Sequence, residues 1–110
     1  MANRFIFCFL ILVAVSLGQS PQANVSGLIS DAQGAAVAGA TVSARNLATS
    51  SVATSTTNDS GLYNLRALPI GRYSFSVEKP GFKKSLRDGI TLTTGQSLEL
   101  PFTLDVGAVT

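Results

Sequence analysis

Asn58-Asp59-Ser60-Gly61-Leu62-Tyr63-Asn64-Leu65-Arg66-Ala67-Leu68-Pro69-Ile70-Gly71-Arg72-Tyr73-Ser74-Phe75-Ser76-Val77 is the stretch that decides the fold class. Its first four residues are turn formers: Asn and Asp side chains accept hydrogen bonds from the local backbone, and Gly takes a positive φ without steric cost. Tyr63 and Leu65 then alternate with polar neighbours, and Leu68-Pro69-Ile70-Gly71 forms a corner that reverses the chain. Beyond the corner Tyr73, Phe75 and Val77 fall on one face, with Ser74 and Ser76 on the other. That period of two belongs to a half-buried strand and not to a helix.

The same signal recurs on both sides. Upstream, 24–30 reads as a strand with Val25 and Ile29 on one face and Gly27 between them; a glycine there predicts a bulge or a close backbone approach. Asp31-Ala32-Gln33-Gly34 turns the chain, and strands are predicted over 41–46 and 51–56. Downstream, Lys79-Pro80-Gly81-Phe82 has the order of a type II turn. Leu86 opens another extended segment, Asp88-Gly89 predicts a turn, and Ile90 and Leu92 alternate with threonines. The last strand, 97–104, turns Leu98, Leu100, Phe102 and Leu104 inward, and Pro101 places it at a sheet edge or on a bulge. Short strands divided by turn signals, with no helical period, predict an all-β, antiparallel, seven-stranded sandwich.

Before the first strand, Met1 to Arg4 gives a positive start and Phe5 to Leu17 an apolar run broken only by Ser16. Small residues at Ser16 and Gly18 predict a helical signal peptide over 1–18, cut before Gln19. The run is shorter than the roughly 20 residues a membrane helix needs. The expected organisation is then a linker over 19–23, the sandwich over 24–105 and a tail over 106–110. Export follows from the leader; periplasm, outer membrane and extracellular space are the destinations it leaves open. With it goes Cys8, the one cysteine, so the fold must hold without a thiol or disulfide. About 90 residues remain, enough for one modest core.

Composition narrows the chemistry. A net charge of +2 is too small for nucleic acid, which is bound by many Lys and Arg on one face. The chain has no histidine, and its hydroxyls need an adjacent base to become nucleophiles. Asp31, Asp59, Glu78, Asp88, Glu99 and Asp105 are scattered, mostly at turns, and neither early acidic turn offers the six to eight oxygens of a calcium site. No catalytic, cofactor or metal residue is therefore assigned. Possible ligand contacts are Tyr63, Tyr73, Arg72, Lys83 and Lys84: tyrosines, with Phe82, can stack on sugar rings, and Arg72, Lys79, Lys83, Lys84 and Arg87 crowd a short span. The plainer reading makes the aromatics core and the cations a solvated face.

Four segments carry a family resemblance: 27–42, Thr57-Asn58-Asp59-Ser60-Gly61-Leu62-Tyr63, Leu68-Pro69-Ile70-Gly71-Arg72-Tyr73 and Pro80-Gly81-Phe82. In this order they resemble the carboxypeptidase regulatory-like domain, over nearly all of the chain beyond the leader. The resemblance implies a transthyretin-like, Greek-key sandwich related to the carbohydrate-binding-like fold. It also implies a non-catalytic accessory domain at the N-terminus of a TonB-dependent outer-membrane receptor, with a stand-alone carbohydrate-binding module as the alternative. Implied partners are a carbohydrate or a neighbouring receptor domain, and membrane contact arises only through the leader or a downstream barrel.

Overall fold

The structure is a computed structural model that describes residues 21–107. The expected signal-peptide helix over 1–18 and the tail residues 108–110 lie outside the described residues. Eight strands follow one another: β1 Gln22–Asp31, β2 Thr41–Asn46, β3 Val52–Thr56, β4 Leu62–Pro69, β5 Gly71–Glu78, β6 Ser85–Leu92, β7 Ser97–Glu99 and β8 Phe102–Leu104. They form two facing sheets. Sheet I has the order β4-β1-β7, with β8 also on β1, and sheet II has the order β3-β2-β5-β6.

Alternation generates the core. Val25 and Ile29 of β1, Val42 and Ala44 of β2, and Tyr73, Phe75 and Val77 of β5 are all buried between the sheets. Leu92, Leu100, Phe102 and Leu104 close the layer from the C-terminal side. Each large apolar side chain so buried contributes on the order of 1.5–3 kcal/mol, and no disulfide is needed to hold the layers together. Phe75 and Tyr73 meet with ring centroids 6.0 Å apart. At the corner the chain passes from sheet I to sheet II, and the Tyr73 hydroxyl donates to the Pro69 carbonyl at 2.7 Å, fixing that crossing.

Three details depart from the sequence expectation. The sandwich is not wholly antiparallel, because β7 and β8 both run parallel to β1, with Val25 opposite Leu98 and Ile29 opposite Phe102. The predicted single strand over 97–104 is two strands, broken at Leu100-Pro101. Proline has no N–H to give, and the Leu100 carbonyl is taken from the side by the Tyr63 hydroxyl at 2.6 Å. Pro101 does lie in the edge of sheet I, as its chemistry requires. Gly27 marks a close approach: a Cβ there would stand 2.4 Å from the Leu100 oxygen.

Asp88-Gly89 is the third departure, for it does not turn the chain. Tyr73 pairs with Ile90 and Phe75 with Arg87, so Asp88 and Gly89 together oppose Ser74 alone. This is a β-bulge inside a continuous strand, with Gly89 at φ 74° and the Asp88 carboxylate accepting from the Ser74 hydroxyl. At the domain's ends, β1 begins at Gln22 inside the expected linker and already buries Ala23. At the other end Val106, in the expected tail, bridges to Phe82.

Candidate functional site

The five residues named as possible ligand contacts are not brought together: Tyr63, Tyr73 and Lys84 each reach the wall of a different hollow. Tyr63 and Tyr73 are only 3% and 2% exposed, so their rings belong to the core and are closed to a sugar. Burial also pushes the Tyr63 phenol well above the ordinary tyrosine range, against a smaller opposite pull from Arg87. Arg72 pairs across from Thr91 near the start of β5, whereas Lys83 and Lys84 lie in the connection beyond its far end. The β5 strand between them is about 23 Å long at ~3.3 Å per residue. Arg87 is separate again, its guanidinium 5.0 Å above the Phe102 ring at the seam between β6 and β8. An inward cation on an edge strand blocks pairing with a foreign strand, which is a structural role.

Among the described residues, two concave surfaces larger than the hollow over Val52 and Arg66 bear on ligand binding. One is a hollow of about 430 Å³ at the turn between β5 and β6, lined by Thr41, Glu78, Lys79, Pro80, Phe82 and Lys84. Phe82 is half-buried there, and Lys84 is paired with Glu78 at 3.2 Å. The turn is anchored by the chain leaving β8: Lys83 N–H donates to the Asp105 carbonyl at 2.8 Å, and Gly107 N–H to that of Gly81 at 2.9 Å.

The second is a groove of about 510 Å³ on the outer face of sheet I, walled on one side by Ser55 and Thr56 of β3. Its floor is a cross-strand pair, Leu28 and Leu62, which are 42% and 48% exposed. Beside them Ser26 stands opposite Asn64 on β4 and opposite Glu99 on β7. Glu99 is the groove's one charged residue and, among the described residues, has no salt-bridge partner. The N–H groups that Leu62 and Asn64 turn outward from β4 are engaged: Asn58 Oδ1 accepts from Leu62 N–H at 3.0 Å, and Ser55 Oγ faces Asn64 N–H at 3.5 Å. Side chains, not a free strand edge, are what this groove offers.

None of Ser26, Leu28, Leu62, Asn64 or Glu99 figures among the residues the sequence singles out as ligand contacts. A signal was present for the leucines. Leu28 occupies the solvent phase of a strand whose inward residues are Val25 and Ile29, and Leu62 adjoins inward Tyr63. An apolar residue out of phase with its own strand has to be either covered by something or left in water.

The acids take other parts. Asp31 Oδ1 accepts from Gln33 and Ala35 N–H at 2.9 Å, Glu78 pairs with Lys84, and Asp88 holds the bulge. The described residues contain no group of three acids, cysteines or histidines placed to hold a metal.

Residues 24–105 match the carboxypeptidase regulatory-like domain. The chain belongs to that family. No curated protein matches it. Among solved structures, this carboxypeptidase regulatory-like domain superposes on the Bacillus anthracis TIE protein with a TM-score of 0.65 at 22% identity, over 78% of this chain and 17% of that one. A candidate carbohydrate-binding protein from Bacteroides uniformis matches at a TM-score of 0.62 and 20% identity, over 77% and 42% of the two chains. Hydroxyquinol 1,2-dioxygenase from Pseudomonas putida DLL-E4 matches at 0.65 and 12% identity, over 83% and 58%. The chain thus spans less than two thirds of each of these proteins. At such identities the likeness is one of fold alone, and the fold is shared by proteins of different activities.

Proposed function

We propose that this carboxypeptidase regulatory-like domain is a non-catalytic accessory domain of an exported protein, set in line as a spacing and interaction unit. The observation that supports this most directly is the parallel closure of sheet I. Because Ile29, Ser30 and Asp31 pair with Phe102, Thr103 and Leu104 in parallel, β8 ends beside the end of β1. The chain enters at Gln22 and leaves beyond Leu104 at opposite poles, about 30 Å apart along β1 at ~3.3 Å per residue. An inserted domain of this topology separates its neighbours along the chain. Antiparallel closure would have brought entry and exit together.

In-line geometry suits the place that the family resemblance implies, behind a leader and ahead of the plug of a TonB-dependent outer-membrane receptor. The structural duties of Asp31, Glu78 and Asp88 support a non-catalytic role. An epitope inserted at the exposed turn 32–34, followed by cell fractionation and intact-mass analysis, tests the proposal. The expected product begins at Gln19, belongs to a longer polypeptide and partitions with the cell envelope. A leader-bearing product in the cytosol would end the proposal.

A second reading, carbohydrate binding, draws support from the hollow at the β5–β6 turn, where half-buried Phe82 is flanked by Lys79, Lys84, Glu78 and Thr41. A partly exposed aromatic ring beside hydrogen-bonding groups can engage a sugar. The Bacteroides uniformis neighbour is consistent with it. Binding across a glycan panel, lost in Phe82→Ala with the fold intact, is the expected result; no binding to any polysaccharide class removes this reading.

A further inference from the structure

We infer that the groove on the outer face of sheet I receives an extended, basic-apolar segment of a partner protein, one apolar side chain on Leu28 and Leu62 and one Lys or Arg side chain against Glu99. This deepens the interaction role proposed above and rests on it.

The occupant's chemistry follows from the lining. The floor is two leucines in direct register, exposed side by side on a face whose neighbouring positions are hydroxyl and amide. Covering them removes apolar surface from water, which favours an aliphatic or aromatic side chain. The groove's charge is a single carboxylate, Glu99, without a cation of its own among the described residues. That sign selects a basic group and disfavours an acidic one.

Spacing supplies the extended form. Leu28 and Ser26 are two residues apart on one strand face, so the leucine row and the Ser26–Glu99 row are separated by ~7 Å along the strand. Residues i and i+2 of an extended segment project to one side at that same ~7 Å interval. An apolar residue and a Lys or Arg two positions apart therefore reach both rows at once. Asn64, in the row with Ser26, adds an amide for the segment's backbone. Because the outer N–H groups of Leu62 and Asn64 are already engaged, the segment lies on the face and does not extend the sheet.

The test uses the ¹⁵N-labelled full chain titrated with the peptide acetyl-Thr-Leu-Thr-Lys-Thr-amide and, separately, with its Lys→Glu counterpart. The expected result is amide shift changes confined to Ser26, Leu28, Leu62, Asn64, Glu99 and the Ser55–Thr56 wall, with the lysine peptide preferred. Glu99→Gln should weaken the lysine peptide by up to about fivefold, the scale of an exposed ion pair, and abolish the preference. Leu62→Ser should weaken both peptides alike. Both substitutions are at exposed positions, and an unchanged dispersed spectrum confirms folding. Equal binding of the two peptides, shifts centred on Phe82 and Lys84, or no shifts at millimolar peptide would overturn the inference. The last two outcomes leave the accessory-domain proposal standing, since it is decided by fractionation.

Discussion

Replacing Gly27 by Ala probes the contact on which the parallel closure turns. Gly27 has no positive φ, so its backbone admits alanine, and a strand interior would favour the change by about 0.5–1 kcal/mol through the lost flexibility of glycine. Space forbids it. The new methyl would lie 2.4 Å from the Leu100 oxygen, 2.7 Å from its carbonyl carbon and 3.1 Å from the Tyr63 ring. An ordinary carbon–oxygen contact is ~3.3 Å or more, so backbone or ring must move by nearly ~1 Å. The backbone cannot slide freely, because Leu100 N–H donates to Ser26 at 2.8 Å while its carbonyl accepts from Tyr63 at 2.6 Å. Overpacking costs about 1–3 kcal/mol, and losing the Tyr63 bond from a buried site about 1–3 more. The net expectation is a loss of about 1–5 kcal/mol, out of a total near 5–15. For a domain of this size each kcal/mol lowers Tm by about 4–8 °C. Thermal and urea unfolding followed by circular dichroism measure it. Gly27→Ala combined with Tyr63→Phe should cost less than the two separately, since both break the same bond. A Gly27→Ala protein as stable as the parent, or strict additivity in the cycle, would refute the account of the closure.

Tyr63→Phe alone should cost about 1–3 kcal/mol in urea unfolding, because it leaves the Leu100 carbonyl short of its donor. Since burial raises the Tyr63 phenol in the folded state, the stabilisation is complete below the unfolded value near 10 and is lost as pH climbs from there toward the folded one; Tyr63→Phe should flatten that alkaline slope in urea titrations. Thr57→Val keeps shape but strands two backbone groups, as the buried Thr57 hydroxyl donates to Val37 at 2.7 Å and accepts from Ala40 N–H at 2.9 Å; a loss of about 2–4 kcal/mol is expected in the same assay. Arg87→Ala should cost no more than about 1 kcal/mol, yet raise concentration-dependent aggregation by light scattering, because it removes the inward charge from edge strand β6.

Much of the sandwich was legible because its information is local. Alternation at Tyr73-Ser74-Phe75-Ser76-Val77 specifies a buried face whatever lies across from it, and the turn residues Asn58–Gly61 and Lys79–Phe82 act within a few positions. What alternation cannot carry is which strands meet and in which direction. The 97–104 run has an unbroken inward phase, and nothing in it states that Leu100 will be held by a tyrosine from β4 or that both halves will lie parallel to β1. Asp88-Gly89 is ambiguous for a related reason: a glycine with positive φ serves a turn and a bulge equally, and only the pairing of Phe75 with Arg87 decides. Residue type leaves Tyr63 and Tyr73 open to stacking or to the core; strand phase decides for the core, the plainer of the two readings, because both lie on the inward face.

The groove shows where the two kinds of information meet. Phase marks Leu28 and Leu62 as misplaced one strand at a time; pairing makes them a surface, because Leu28 meets Leu62 while Ser26 meets both Asn64 and Glu99. Shifting β7 by one residue against β1 would turn Glu99 to the core face and bring Leu98 to the outside. The charge in the groove is therefore a consequence of the parallel register, and that register is held by Gly27, Tyr63 and Leu100 through the inside of the sheet. A change at Gly27 that leaves the domain folded but moves β7 should then weaken the lysine peptide without touching any residue of the groove. Binding that persists in a folded Gly27→Ala protein with displaced β7 amide resonances would uncouple the surface from the closure beneath it.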